Sequence, residues 1–345
     1  MTTRAFAPWF DAHLDLAYLA ECGRDMDAPL DGAGGPHPPA AVTWPALRDG
    51  GVRFCLGTIF TEADGTDAVG YPSGDAKAAA DRGRAQLAQY QRAVATGRIS
   101  LMPRRGRPFG TSCDGACDIP RDTGAPISLG ILMENGDPIA SPDELEWWVS
   151  QGLVAVGPSW AKAARYAGGN STTTGLTDLG RELVREVDRL GVVIDASHLS
   201  DASLAQVLEM TDSPVIASHS NCRMLLEKTN QRHLTDDAII EIARRGGVIG
   251  LNLYGKFLTP PGMERAPTID DAIRHLERVC ELVGHRRAVG LGSDMDGGFS
   301  AEGLPQGIRS PRDLSKLLDA LHARGWSDDE LRGFACDNWL RFWGW

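Results

Sequence analysis

Five short segments of this chain end an apolar run on side chains that bind metals or move protons. FDAHLD carries His13 and Asp15, two residues apart, so an extended backbone turns both to one side, where one cation can take them together. ILMENG closes on Glu134, and a carboxylate ending a buried run needs a cation or several donors, because an unpaired buried charge is costly. VIDASHLS carries Asp195 and His198, and PVIASHSN carries His219 at the same point of its own run. VGLGSDMDGG carries Asp294 and Asp296 after a glycine-relaxed end. Singly, a strand-end histidine is satisfied by a backbone carbonyl and an aspartate by a neighbouring loop. Together, on five such ends, these histidines and carboxylates point instead to a metal centre. They exceed what one zinc needs, so two ions sharing a carboxylate is the better count.

The elements that must position these residues are short apolar strands, expected at Trp9–Asp15, Val52–Phe60, Ile127–Glu134, Leu153–Val156, Val192–His198, Pro214–His219, Gly247–Tyr254 and Ala288–Asp294. Between most of them lie helical stretches: Ala76–Thr96, Asp143–Ser150, Leu176–Leu190, Ala202–Met210, Asp236–Arg245 and Ile269–Val283. Strands alternating with helices imply parallel βαβ units, and roughly eight of them favour an α/β fold of the (β/α)8 TIM-barrel type, in which C-terminal strand ends face the active site. No glycine-rich phosphate fingerprint follows any strand, which disfavours an open nucleotide-binding sheet. The whole chain, 1–345, is read as one barrel domain. Its loop excursions fall near 27–39 and 103–126, and closing helices at 311–342 finish it.

Acidic residues number 46 against 35 basic ones, a net charge of −11, which argues against a nucleic-acid partner held through phosphates. No stretch approaches the ~20 apolar residues of a membrane span. The first residues, broken by Arg4, Pro8 and Asp11, form no signal-peptide core. Seven cysteines without a framework spacing suit a cytoplasmic protein that contacts no membrane, and Cys113 and Cys117 are the only close pair. Of the other histidines, His37, His275, His285 and His322 fall on expected loops or helices and read as solvated.

FDAHLDLA, ILMENG, VIDASHLS, PVIASHSNCR, RHLTDDAIIEIARRGGVIGLNLY, VGLGSDMDGG and DNWLRFW together resemble the membrane (renal-type) dipeptidase family of binuclear zinc peptidases, within the metal-dependent amidohydrolase barrels. The chain looks like a divergent bacterial-type member. The resemblance implies two Zn2+ ions per chain, with His13 and Asp15 on one, His198 and His219 on the other, and Glu134 bridging them. It implies that Arg232 grips the carboxylate of a small dipeptide and that Asp294 handles protons beside the metals, whereas Asp296 reads as structural. A homodimer is a further implication, and Trp339, Trp343 and Trp345 would suit its contact or else seal the barrel.

One departure bears on chemistry. Dipeptidases of this family carry a histidine after the fourth strand, thought to steady the developing oxyanion, and here Trp160 occupies the corresponding position. An indole N–H donates but carries no charge, so it is a weaker partner. His233, beside Arg232 where the family often has Asn, is a candidate substitute, and Tyr166 in a tyrosine-glycine loop should border the same mouth. The expected reaction is dipeptide hydrolysis by a metal-activated hydroxide, with Glu134 and Asp294 as catalytic carboxylates. Alternatives are a related amidohydrolase acting on a modified dipeptide, an N-acyl amino acid or a lactam, and an inactive metal-binding scaffold.

Overall fold

The computed structural model describes residues 8–105, 125–162 and 164–345. Cys113 and Cys117, with most of the 103–126 excursion, lie outside the described residues. Eight parallel strands follow one another around a barrel: β1 (Trp9–Leu14), β2 (Val52–Phe60), β3 (Ile127–Glu134), β4 (Leu153–Gly157), β5 (Val193–Asp195), β6 (Val215–Ile216), β7 (Ile249–Leu251) and β8 (Val289–Leu291). Pairing runs β7-β8-β1-β2-β3-β4-β5-β6, and an isolated parallel bridge between Ala217 and Ile249 brings the two ends of that series together. The architecture is the expected one. Every residue of β1, β3 and β4 is buried, as parallel strands covered on both faces must be, and this is why they read as unbroken apolar runs.

The later strands are shorter than their apolar runs suggested. Val192–His198 supplies only β5, Pro214–His219 only β6, Gly247–Tyr254 only β7 and Ala288–Asp294 only β8. Ladder pairing stops early because the backbone turns out of line to aim polar side chains, with His198 at φ 68° and Asp294 at φ 59°. Helix starts follow their caps: the Thr177, Ser200 and Thr235 hydroxyls accept from Gly180, Ser203 and Ala238 N–H, so the helices begin at Asp178, Asp201 and Asp236. Two one-turn helices, Leu16–Glu21 and Trp44–Asp49, and a small strand pair, Glu62–Ala63 with Gly70–Tyr71, were not expected.

The barrel's lower end is closed by the chain's last helix, Asn338–Trp343. Trp339 and Trp343 are fully buried with Phe10, Leu56, Leu132, Val193, Ile216 and Val248. Trp339 donates its indole N–H to the Leu291 carbonyl at 3.0 Å. It fits because residue 290 is glycine: a Cβ there would lie 2.2 Å from Trp339 Nε1. Trp339 and Trp343 therefore seal the barrel, and half-buried Trp345 packs at 5.9 Å from Phe54. No helix among the described residues is long and apolar enough to cross a membrane.

Candidate metal centre

Three imidazoles from three strand ends meet one carboxylate at the upper mouth. Glu134, the last residue of β3, has Oε2 3.3 Å from His13 Nε2, and its Oε1 is 3.1 Å from His198 Nε2 and 3.5 Å from His219 Nε2. The His198 and His219 Nε2 atoms are 3.0 Å apart, and Asp15 Oδ1 is 3.8 Å from His13 Nε2. Two overlapping groups, Glu134 with His198 and His219, and His13 with Asp15 and Glu134, each bring their ligand atoms within 4.8 Å of one another. A further group joins Asp195 to His13 and His219. All these side chains are buried, and His13 Nε2 has no hydrogen-bond partner. Nitrogen and carboxylate donors crowded in this way, with a buried nitrogen left open, fit zinc-type ligation. Without a cation the cluster is electrostatically mismatched. Burial alone would lower the His13 pKa, yet Glu134, Asp15 and Asp294 push it up to about 10. Burial opposes ionisation of Glu134, and the His13 and His198 rings nonetheless hold it well below the usual carboxylate range.

Asp294 stands beside the cluster on the loop after β8. Its Oδ2 accepts from Asn252 Nδ2 at 2.8 Å, and burial, with the neighbouring Asp15 and Glu134 charges, raises its pKa to about 7. Gly297 allows this crowding, since a Cβ there would lie 1.9 Å from Asp294 Oδ1 and 2.8 Å from Asp15 Oδ2. Asp15 itself rises to about 6 through burial while accepting from the Thr58 hydroxyl.

Two aspartates set the strand ends by the same device. Asp11 accepts from Ser293 N–H at 2.8 Å and from its hydroxyl, and Asp195 accepts from Ser218 N–H at 2.8 Å and from its hydroxyl. Each serine directly precedes a site residue, Asp294 or His219. Asp296 is structural as expected: it pairs with buried Arg24 and accepts from Ala41 and Val42 N–H at 2.8 Å each, which fastens the 27–39 excursion over the mouth.

A cleft of about 360 Å³ opens above the cluster, lined among others by Tyr18, Phe60, Trp160, Arg232, Tyr254 and Phe257. Arg232 is buried. Its Nη groups donate to Ser220 Oγ at 3.3 Å and the His219 carbonyl at 3.0 Å, its Nε is unpartnered, and no carboxylate lies within ion-pair distance among the described residues. Trp160 faces Phe60 edge-on at 5.2 Å and sits 5.8 Å from the His198 ring, on the wall of the cleft.

Tyr166 and His233 are corrections. Tyr166 is fully buried and donates its hydroxyl to the Ile139 carbonyl, because the segment after Trp160 folds inward and pairs Ala167 with Leu176. His233 packs edge-on against Phe257 at 4.9 Å, behind the cleft rather than on it, and burial drives its pKa down to about 2, so it brings no charge to an oxyanion. His275 is likewise buried, taking the Cys222 N–H on Nδ1 at 3.1 Å, and so is not solvated.

Sequence reasoning missed His37, which the 27–39 excursion delivers to the cleft, with Nε2 3.2 Å from the Tyr18 hydroxyl. It also missed Asn252, Thr58 and Asn170. Polar residues directly after apolar runs, as in GLN and LGT, were the available signal for the first two. Nothing local marks Asn170.

Comparison with known proteins agrees with this geometry. The membrane dipeptidase family model matches residues 4–345. A metallopeptidase from Rhodobacter sphaeroides, solved with a phosphinate mimic of the dipeptide L-Ala-D-Ala, is similar with a TM-score of 0.81 and 26% identity, over 98% of this chain and 99% of that one. A second structure, of a metallopeptidase named dipeptidase AC, has a TM-score of 0.79 at 26% identity over 98% of both chains. An uncharacterized dipeptidase of Schizosaccharomyces pombe is 35% identical over 188 residues, 53% of this chain and 43% of the yeast protein. The chain thus spans less than half the length of that relative.

Proposed function

The chain belongs to the membrane dipeptidase family, and from that premise we propose that it is a zinc-dependent dipeptidase. Two Zn2+ ions per chain are the cofactor of this reading, with His13 and Asp15 holding one, His198 and His219 the other, and Glu134 both. When bound, such ions supply Lewis acidity and lower the pKa of a bound water to ~7. Asp294 is the proton carrier: Asn252 holds Oδ2, leaving Oδ1 to take a proton from the attacking water and pass it to the departing amine. Arg232 receives the substrate's free carboxylate. The observation that carries the reading is this buried guanidinium, open at Nε and lacking a carboxylate, in the same cleft as the ligand cluster. An anchor so close to the ligands limits the substrate to one residue beyond the scissile bond. The relative bound to a mimic of L-Ala-D-Ala supports a dipeptide, with a D-residue accepted at the C-terminal side. Trp160, which brings no charge to the cleft, favours the second reading, an amidohydrolase of modified dipeptides, N-acyl amino acids or lactams. The five free thiols among the described residues support a cytoplasmic enzyme.

Metal analysis with a substrate panel tests both readings. About two zinc ions per chain and cleavage of dipeptides are expected, with C-terminal dipeptide amides slower by roughly 10²-fold for want of the charge-assisted Arg232 contact. Zinc-loaded protein that cleaves only N-acyl amino acids or lactams selects the second reading. A chain that holds no metal and loses nothing on His219→Ala sinks both.

A further inference from the structure

Every ligand histidine of the cluster meets an oxygen through its other ring nitrogen, and two of them meet the same one. Ser218 Oγ lies 3.2 Å from His13 Nδ1 and 2.8 Å from His219 Nδ1. A hydroxyl has one proton and two lone pairs. The proton is committed, because Asp195 Oδ2 is an acceptor only and takes the Ser218 hydroxyl. The lone pairs are left to the two imidazoles, which at 2.8 and 3.2 Å lie nearer than the Ser197 hydroxyl at 3.5 Å, so each ring presents Nδ1–H to them. His198 Nδ1 meets Asn170 Oδ1 at 2.9 Å, on the loop that also carries Trp160. Ser218 is fully buried, so a ring in the opposite tautomer would set two lone pairs against each other with no water to intervene.

We infer that Ser218, oriented by Asp195, fixes the tautomers of His13 and His219 together, and that Asn170 fixes His198, so that all three Nε2 atoms are offered to metal as lone pairs. This rests on the zinc reading above for its purpose, though not for its geometry. Ser218, Asp195 and Asn170 are positioning residues: they set which nitrogen is free. One hydroxyl serves rings that belong to different ions, so the two sites are coupled through a proton that neither of them touches.

Asp195→Asn separates this from ordinary support. Oδ1 of Asp195 accepts from Ser197 N–H at 3.0 Å and Ser218 N–H at 2.8 Å, so an amide must place its oxygen there and its NH2 against Ser218. The Ser218 proton is then displaced toward a histidine Nδ1, and that ring is left with Nε2–H. The shape is unchanged and only the direction of the hydrogen bonds reverses.

The test is a chelator-competition titration with Zn2+ on the full chain, alongside long-range 1H–15N spectra of the metal-free protein. Asp195→Asn is expected to weaken at least one ion and Ser218→Ala both, each by roughly 10–100-fold, the usual cost of losing a ligand's hydrogen-bond partner. Asn170→Ala is expected to weaken one ion only. In the spectra of the metal-free wild type the His219 ring carries Nδ1–H, its Nε2 accepting from the His198 ring 3.0 Å away until metal replaces that proton, and in Asp195→Asn part of the His219 signal moves to Nε2–H. Should Ser218→Ala fail to fold, the isosteric Asp195→Asn and the loop variant Asn170→Ala still decide. Wild-type zinc affinity for both ions in Asp195→Asn, or an Asn170→Ala that weakens both ions equally, overturns the inference. A wild type that binds no zinc overturns the functional reading instead, while the tautomers are still read from the metal-free spectra.

Discussion

The two mouths of the barrel are made of the same eight strands and differ in almost everything else. At the lower mouth, Trp339, Trp343, Phe10 and Leu56 fill the space with apolar contact; the Trp339 indole N–H is satisfied on the Leu291 carbonyl, while that of Trp343 is buried without a partner, so apolar packing and not polar bonding holds this end. At the upper mouth stand buried carboxylates, an open imidazole nitrogen and a buried arginine without an anion. The backbone divides the same way. All six non-glycine residues with positive φ among the described residues, His37, Asp64, Asn135, His198, Asp294 and Asp296, lie on the loops that follow β1, β2, β3, β5 and β8. Such conformations cost on the order of 1–3 kcal/mol each and persist only where the surroundings impose them. The lower mouth stabilises the barrel, and the upper one draws on that stability to hold ligands in place.

The sharpest way to break this division is at Asp294. Asp294→Asn is expected to lower kcat by ~10²–10⁴-fold, the usual weight of a general acid–base group, while the metal-free chain melts no lower than wild type, because a buried charge is removed without changing shape. Steady-state kinetics and calorimetry measure both, and a large loss of Tm would show that Asp294 supports the fold. Trp339→Ala is the mirror case. It should cost ~3–5 kcal/mol in denaturant unfolding, as truncating a fully buried tryptophan does, with zinc content and turnover per folded molecule unchanged. Impaired turnover in that folded fraction would mean that the two mouths are mechanically linked.

A smaller effect comes from pH. With metal removed, the His13 pKa is raised from 6.5 to about 10 by its carboxylate neighbours. Its contribution to stability is therefore complete below about pH 6.5 and is lost as pH rises through about 10. The chelated chain should lose Tm between those limits. The zinc-loaded chain, whose His13 has already given up that proton, should lose less, and equal slopes in thermal melts would remove His13 from the ligand set.

Much of the upper mouth was readable in the sequence because parallel barrel strands are covered on both faces. Each is a continuous apolar run, and the first polar residue after it marks where the strand opens to the cleft. That logic found His13, Glu134, His198, His219 and Asp294. It fails once the chain leaves the strand, since an irregular segment has no period to tell inward from outward. Tyr166 and His233 were expected at the cleft and turn into the core, whereas His37, expected in solvent amid prolines and glycines, turns into the cleft. Trp339 and Trp343 had two readings open, and the glycine at 290 that admits the first of them carries no meaning until its neighbour is known. Asp11 and Asp195 were visible as letters in FDAH and IDAS. Their shared bonding to Ser293 and Ser218 joins residues 282 and 23 apart and needed the fold.

That first separation has a consequence in time. β1 pairs with β8 at Asp11 and Leu291, and Asp294 N–H reaches back to the His13 carbonyl at 3.2 Å, so the opening and closing strands of the chain meet at the site. During synthesis His13 and Asp15 leave the ribosome roughly 280 residues before Asp294, and at ~5–20 residues per second they wait on the order of tens of seconds for it. Throughout that interval the nascent chain carries loose imidazoles and carboxylates without the bonds that aim them. The carboxylate beside the ligand cluster is thus aimed only after the last strand is made, at a moment set by the joining of the chain's two ends.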